Sequence, residues 1–222
     1  MSPEAVGQLL ACYGIPLVKT QFASSPREAR RLARELGSPV ALKAIAAGVL
    51  HKTEAGGVRL GLKGAAAVER AANEMATSFQ AAGHPVIGFQ LQEMAAAGVE
   101  MIVGVVQDQH FGPVLACGAG GTATELLKDV SVRLTPITTR DADQMVRSLR
   151  TFPQLTGYRG APPADIDALE DVLLRVSALV EAHPQIAEMD LNPLIVHTDG
   201  AVVVDARIRL EAGVARKPLG AR

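Results

Sequence analysis

The chain has 222 residues, 48% hydrophobic and 20% charged, with a formal net charge of −1, which gives no electrostatic case for nucleic acid or an anionic membrane. With 3% aromatic residues and no Trp it also lacks the platforms on which single strands stack. Cys12 and Cys117 make neither a disulfide framework nor a metal cluster. No apolar run approaches the roughly 18 residues of a membrane span, and no basic stretch precedes an apolar one at the N-terminus, so a cytoplasmic protein is expected.

In chain order, Ser2 and Pro3 open a helix with Val6, Leu9, Leu10 and Tyr13 on one side, stopped at Gly14. A short strand is expected over residues 17–22. Ser25 then caps a helix over residues 26–36, with Ala29, Leu32, Ala33 and Leu36 inward. Arg27, Arg30, Arg31 and Arg34 point outward and read as a solvated face rather than a phosphate patch. Residues 39–45 (PVALKAI) form a buried strand interrupted by Lys43, a charge that is costly there unless it is paired or reaches an anion. The following loop holds His51, Lys52, Thr53, Gly56 and Gly57 before a strand over residues 58–62. Its backbone N–H groups, a hydroxyl and Lys52 can cradle phosphates, although neither a P-loop nor a dinucleotide fingerprint is present. A long amphipathic helix over residues 65–82 completes a smaller lobe, residues 1–85.

Residues 86–94 are expected to open a larger lobe, residues 86–212, followed by strands at 100–107 and 113–117 joined by short connections. Glu100 opens an otherwise apolar strand. Gly118, Gly120 and Gly121 permit a close backbone approach to a ligand or simply turn the chain. A strand at 132–138, helices at 139–150 and 165–182 and a loop between them lead to a hairpin. Residues 213–222 read as a tail.

That hairpin, EMDLNPLIVHTDGAVVVD over residues 188–205, carries the chemistry. An Asp199-Gly200 turn between β-rich runs pairs Leu194 with Asp205 and puts Pro193 at a non-hydrogen-bonded position. Asn192 then lies diagonal to Asp205, with Asp190 on the same face by the strand period of two. Two carboxylates and an amide oxygen suit Mg²⁺, which keeps waters and takes further ligands from a nucleotide. An edge hairpin with a solvated polar face is the alternative that spacing leaves open.

Together PVALK (39–43), HKTEAGGVRL (51–60), the glycine-containing run over 98–129, LTPI (134–137) and EMDLNPLIV with VVVDARI (188–208) resemble the ATP-grasp domain of ADP-forming acyl-CoA synthetases. A more distant resemblance is to the β subunit of succinyl-CoA synthetase. The resemblance implies an α+β, two-lobed ATP-grasp fold that binds ATP or ADP with Mg²⁺. It implies that Lys43 contacts nucleotide phosphates, with Lys52, Thr53, Gly56 and Gly57 in the flap, and that Gln92, Glu93 and Met94 meet adenine. Glu100 would bind near the ribose, and Asn192 and Asp205 would hold Mg²⁺ with Asp190 beside them. His51 matches a histidine thought to carry a phosphoryl group transiently. The reaction implied interconverts acyl-CoA, ADP and phosphate with acid, CoA and ATP. In that family the CoA-binding domains lie on another subunit or another part of a fused chain, which makes an α-type partner and a hetero-oligomer the expectation. A regulatory nucleotide-binding domain of a fused protein acetyltransferase, without turnover, is the other reading.

Overall fold

The computed structural model describes residues 1–37, 39–46, 56–121 and 129–211. The chain divides into two compact units, one made of Met1–Leu17 with Ala96–Arg222, the other of Val18–Ala95. Mixed helices and antiparallel sheets agree with the expected α+β class.

The unit Val18–Ala95 holds β1 (Thr20–Ala23), α2 (Pro26–Leu36), β2 (Val40–Ala46), β3 (Val58–Leu62), α3 (Ala65–Ala81) and β4 (Val86–Glu93). Its strands form one sheet in the order β1-β4-β2-β3, antiparallel throughout. Ser25 caps α2 by accepting the Glu28 N–H, and Pro26 supplies the first-turn φ. Ala29, Leu32, Ala33 and Leu36 of α2 pack with Val68, Ala72, Met75 and Phe79 of α3 over Leu42, Ala44, Phe89 and Leu91. On the outer side of α2, Arg30 pairs with Glu69 at 2.7 Å and Arg31 with Glu35 at 2.6 Å, as a solvated face would have it.

The strand over residues 86–94, expected to begin the larger lobe, instead lies inside this sheet between β1 and β2. The division therefore falls at residues 95 and 96, not 85 and 86. The reason is burial: Gly88, Phe89, Gln90, Leu91 and Gln92 are all buried, and only a strand paired on both sides satisfies that much backbone. The expected strand at 17–22 is likewise divided. Leu17 is the last residue of the other unit's N-terminal segment and bridges to Val203 within that unit, while β1 starts at Thr20.

The second unit begins with α1 (Pro3–Cys12), which the sequence reading had placed in the smaller lobe. Val6, Leu10 and Ile15 enter this unit's core, and the terminal ammonium donates to the Ile208 carbonyl at 2.9 Å. There follow β5 (Val99–Asp108), β6 (Gly112–Ala119), β7 (Val130–Leu134), α4 (Thr139–Arg147), a short α5 (Phe152–Leu155), a 3₁₀ turn at Tyr158–Gly160, α6 (Ile166–Ala182), β8 (Ile186–Val196), β9 (Ala201–Val203) and β10 (Ala206–Leu210). The sheet runs β10-β8-β5-β6-β7, with β9 also on β8. Thr138 and Asp141 close a capping box on α4, and Asp165 caps α6. Met101, Val103, Val105, Leu115, Cys117, Met189 and Leu191 face inward under α4 and α6.

The opposite face of this sheet is divided by chemistry. Val106, Val130, Val132 and Leu134 are exposed on β5 and β7. Glu188, Asp190 and Asn192 of β8 lie on the same side, since Asp190 pairs with Gly104, Gly104 with Ala116, and Ala116 with Val132.

Asp129, just ahead of β7, was not singled out from the sequence. Its buried carboxylate accepts the Arg150 N–H at 2.9 Å and the Thr151 N–H at 2.8 Å, and the Thr151 hydroxyl at 2.6 Å. Burial alone acts to raise its pKa; the bonds from Thr151 and Arg150 outweigh that and leave it lowered. Asp129→Ala is expected to cost about 1.5–3 kcal/mol in urea unfolding at neutral pH, as loss of charge-assisted hydrogen bonds does. A lowered folded pKa stabilises the fold above the ordinary carboxylate value and ceases to as pH falls through the folded value. The gap between wild type and variant should therefore close in acid; a pH-independent gap would contradict this account.

Candidate nucleotide and metal site

β8 and the strands that return beside it form the expected hairpin in a different register. Leu194 pairs with Val203, Ile195 with Val202 and Val196 with Ala201. The turn centres on Thr198-Asp199, closed by the His197 N–H to the Gly200 carbonyl at 2.7 Å, with Gly200 at φ 147°. The expected Asp199-Gly200 turn would have set Leu194 against Asp205. The observed register sets apolar against apolar, burying Leu194, Val196, Ala201 and Val203, and that packing outweighs the local turn preference.

The observed register brings the candidate ligands closer together. Asn192 is directly opposite Asp205 rather than diagonal to it, and its N–H donates to the Asp205 carbonyl at 3.0 Å. Pro193, expected at a non-hydrogen-bonded position, accepts the Val204 N–H at 2.9 Å. Here β8 also shifts register against β5, between Met101 and Val103. Inward residues change from Met189 and Leu191 to Leu194 and Val196, so the strand takes three residues where alternation would take two. Asn192 and Asp205 sit at that irregularity.

β10 continues the same pairing, Arg207 opposite Asp190 and Arg209 opposite Glu188. One face thus carries Glu188, Asp190 and Asn192 against Arg209, Arg207 and Asp205. Burial raises the Asp190 pKa; Arg207 opposes this, and Asp205 and Glu188 add to it, leaving it above the usual carboxylate value.

The donor set suits Mg²⁺. Asn192 and Asp205 offer hard oxygens. Among the described residues no group of three or more His, Cys, Asp or Glu forms a full protein cage. Mg²⁺ needs none, since one or two protein ligands, waters and nucleotide phosphates complete its shell. Arg207 was missed from the sequence; the DARIR run placed opposite EMD in the observed register is the signal that reveals it.

Glu100, on β5 opposite Ile195, is exposed, and its carbonyl accepts the Gly120 N–H at 2.7 Å. A Cβ at Gly120 would lie 2.8 Å from the Glu100 carbonyl carbon, and one at Gly121, where φ is 70°, 3.0 Å from Glu100 Oε2. Gly120 and Gly121 thus pack on Glu100, while Gly118 meets Asp129 and Val130.

In the other unit, Lys43 is half-buried on β2 between Gln90 of β4 and Val58 of β3. Gly57 is buried, and its carbonyl accepts the Ala44 N–H at 2.8 Å, which ties the base of the expected flap to β2. Gly56 adopts φ 72° beside it. His51, Lys52 and Thr53 lie outside the described residues. Gln92 is buried, and its amide donates to Thr20 Oγ1 at 3.2 Å. The Glu93 N–H is committed to the Lys19 carbonyl at 3.0 Å, so an adenine contact at residues 92–94 cannot use that donor. Met94 is exposed at the end of the unit.

A lysine-bearing antiparallel sheet lies in one unit and an acidic, oxygen-rich hairpin in the other. The ATP-grasp domain model matches residues 1–210, and the chain belongs to that family. It is 38% identical over 215 residues to the β subunit of an ADP-forming acetate–CoA ligase I of Pyrococcus furiosus, covering 95% of this chain and 91% of that one. It is 43% identical over 204 residues to an ADP-forming acetate–CoA ligase I of Archaeoglobus fulgidus, covering 91% of this chain but 30% of that longer one. Among solved structures it superposes with a TM-score of 0.84 and 37% identity on a dinucleotide-forming acetyl-coenzyme A synthetase of Candidatus Korarchaeum cryptofilum, covering 95% of this chain and 92% of that one. That structure holds coenzyme A and Mg-AMPPCP, with its phosphohistidine segment pointing towards the nucleotide-binding site.

The Glu100 contact is open to test by two alanines. Gly120→Ala forces the Glu100 backbone to move and should cost about 1–3 kcal/mol in urea unfolding. Gly7→Ala, in α1 with nothing within 4 Å of the added carbon, should stabilise by about 0.5–1 kcal/mol. Equal effects of the two would refute the close approach.

Proposed function

We propose that this chain is the ATP-binding component of an ADP-forming acyl-CoA ligase, which interconverts acyl-CoA, ADP and phosphate with acid, CoA and ATP. The observation that carries this is Asn192 opposite Asp205, with Asp190 beside them, on a chain similar along nearly its whole length to a ligase β subunit. CoA and the acyl group are handled by a partner of α type, either a separate subunit or a fused domain. The Archaeoglobus relative extends well beyond the matched region, as a fused arrangement requires.

In this reading Asn192 and Asp205 hold Mg²⁺ and Asp190 lies beside it. Bound Mg²⁺ would neutralise charge on the nucleotide phosphates. Lys43 binds the phosphates from its strand, and Gly56, Gly57, Lys52 and Thr53 cover them. Gln92 to Met94 meet adenine through the backbone donors and acceptors other than the Glu93 N–H, and Glu100 binds near the ribose. His51 is the phosphoryl carrier: a bond forms between an imidazole nitrogen and phosphorus as the P–O bond to ADP breaks, with ADP leaving with that oxygen and its electron pair. The reverse step returns the group to ADP, and transfer onward delivers it to the partner's site. A neutral imidazole is a competent nucleophile near neutral pH.

Calorimetric titration with ADP should give tighter binding in Mg²⁺ than in EDTA. Loss of a residue that merely orients a metal ligand costs about 10–100-fold, so Asp205→Asn should cost the Mg²⁺-dependent gain at least that much, while Asp199→Asn in the turn leaves it intact. Equal affinity with and without metal would refute the site. Lys43→Met should fold and lose about 1.5–3 kcal/mol of nucleotide affinity.

The phosphoryl step has its own signature. With γ-labelled ATP and the α subunit of the Pyrococcus ligase, wild type should carry acid-labile, base-stable label that His51→Ala lacks, the variant still binding ADP. Equal labelling of the two would remove His51 from the mechanism.

A further inference from the structure

The ion pairs around the acidic hairpin are unequal, and the inequality falls on the candidate metal ligands. Arg209 is firmly engaged: its Nε donates to Glu188 at 3.1 Å, and a second guanidinium nitrogen bonds Glu211. Arg207, one rung along, lies opposite Asp190, yet its recorded ion pair is to Asp205, with Nε 3.8 Å from Oδ2. That distance is too long for a hydrogen bond. Its side chain is 60% exposed, so nothing in the packing fixes the guanidinium.

Arg207 therefore faces two carboxylates without being bonded to either. Asp190 and Asp205 are diagonal neighbours across the strand pair, about 7–8 Å apart at the backbone. A guanidinium between them offsets the repulsion of like charges gathered on one sheet face. A divalent ion on Asn192 and Asp205 would occupy the same electrostatic position with twice the charge. The two cations cannot both be accommodated there, because each repels the other at short range.

We propose that Arg207 is the resident counter-ion of the metal site: it holds the Asp190/Asp205 pair together while the site is empty of metal, and it is displaced when a divalent cation binds. This rests on the metal-site reading above and adds a positioning residue that competes with the metal. In the loaded state the displaced guanidinium sits at the rim of the site, where a nucleotide phosphate oxygen is the natural acceptor.

The test uses two readouts on the purified chain, with Mn²⁺ alone as the probe. Metal binding is measured by the loss of free-ion signal in electron paramagnetic resonance, and thermal unfolding is followed in EDTA. Arg207→Gln should bind Mn²⁺ more tightly than wild type, by about two- to fivefold given the exposure of the pair, and should melt at a lower temperature in EDTA. The two changes have opposite signs, a combination that a purely structural arginine does not produce. Arg207→Lys should restore both towards wild type, and Arg209→Gln should leave Mn²⁺ affinity unchanged. Unchanged or weaker Mn²⁺ binding by Arg207→Gln, with Asp205→Asn still abolishing it, overturns the inference and leaves the metal site standing. Mn²⁺ binding that Asp205→Asn does not affect overturns both.

Discussion

The hydrogen bond from the Asn192 N–H to the Asp205 carbonyl marks the one strand register on which the candidate metal site of the larger unit depends. A slip of one residue would turn the inward row outward and separate the amide from the carboxylate. The register is not secured by the polar residues themselves. Leu194 on Val203 and Val196 on Ala201 secure it from the turn side, and Ile208 opposite Met189 from the other, all buried. Apolar pairs on one face thus position the candidate oxygen ligands on the other.

That arrangement has an electrostatic cost. Glu188, Asp190 and Asp205 share a face, and burial adds to the repulsion at Asp190, whose carboxyl holds its proton more tightly than usual. Arg209 offsets the cost at Glu188 by direct bonding, and Arg207 offsets it less completely further along. Glu100 belongs to the same economy of close contacts: only glycine at position 120 lets the neighbouring strand's end approach its backbone.

Much of this was legible in the sequence, and the failures have physical causes. Helix starts at Ser2 and Ser25 were read correctly because capping is local chemistry, while Asp165, expected as a first helical residue, caps its helix instead. The hairpin was found from its Asp-Gly signal, but its register was misplaced because a two-residue slip preserves the inward and outward pattern, and only the cross-strand partners distinguish the two. The lobe boundary was misplaced because β4 is central in its sheet, which depends on strands distant in sequence. Asp129 left no trace, since its partners Arg150 and Thr151 lie about twenty residues away. Arg207 became visible only once the register was known. The family resemblance read from HKTEAGGVRL and EMDLNPL agrees with the ATP-grasp match over residues 1–210.

The most direct measurement of the central claim is nuclear magnetic resonance of the side-chain amides of ¹⁵N-labelled protein during titration with Mn²⁺ in the presence of ADP. Paramagnetic broadening falls steeply with distance, so a metal held by Asn192 and Asp205 should erase the Asn192 amide signal first and spare that of Gln144, exposed on helix α4 across the same unit's sheet. Selective loss of the Asn192 signal, strengthened by ADP and absent in Asp205→Asn, is the predicted result. An Asn192 signal that survives while other amides broaden would place the metal elsewhere and contradict the account.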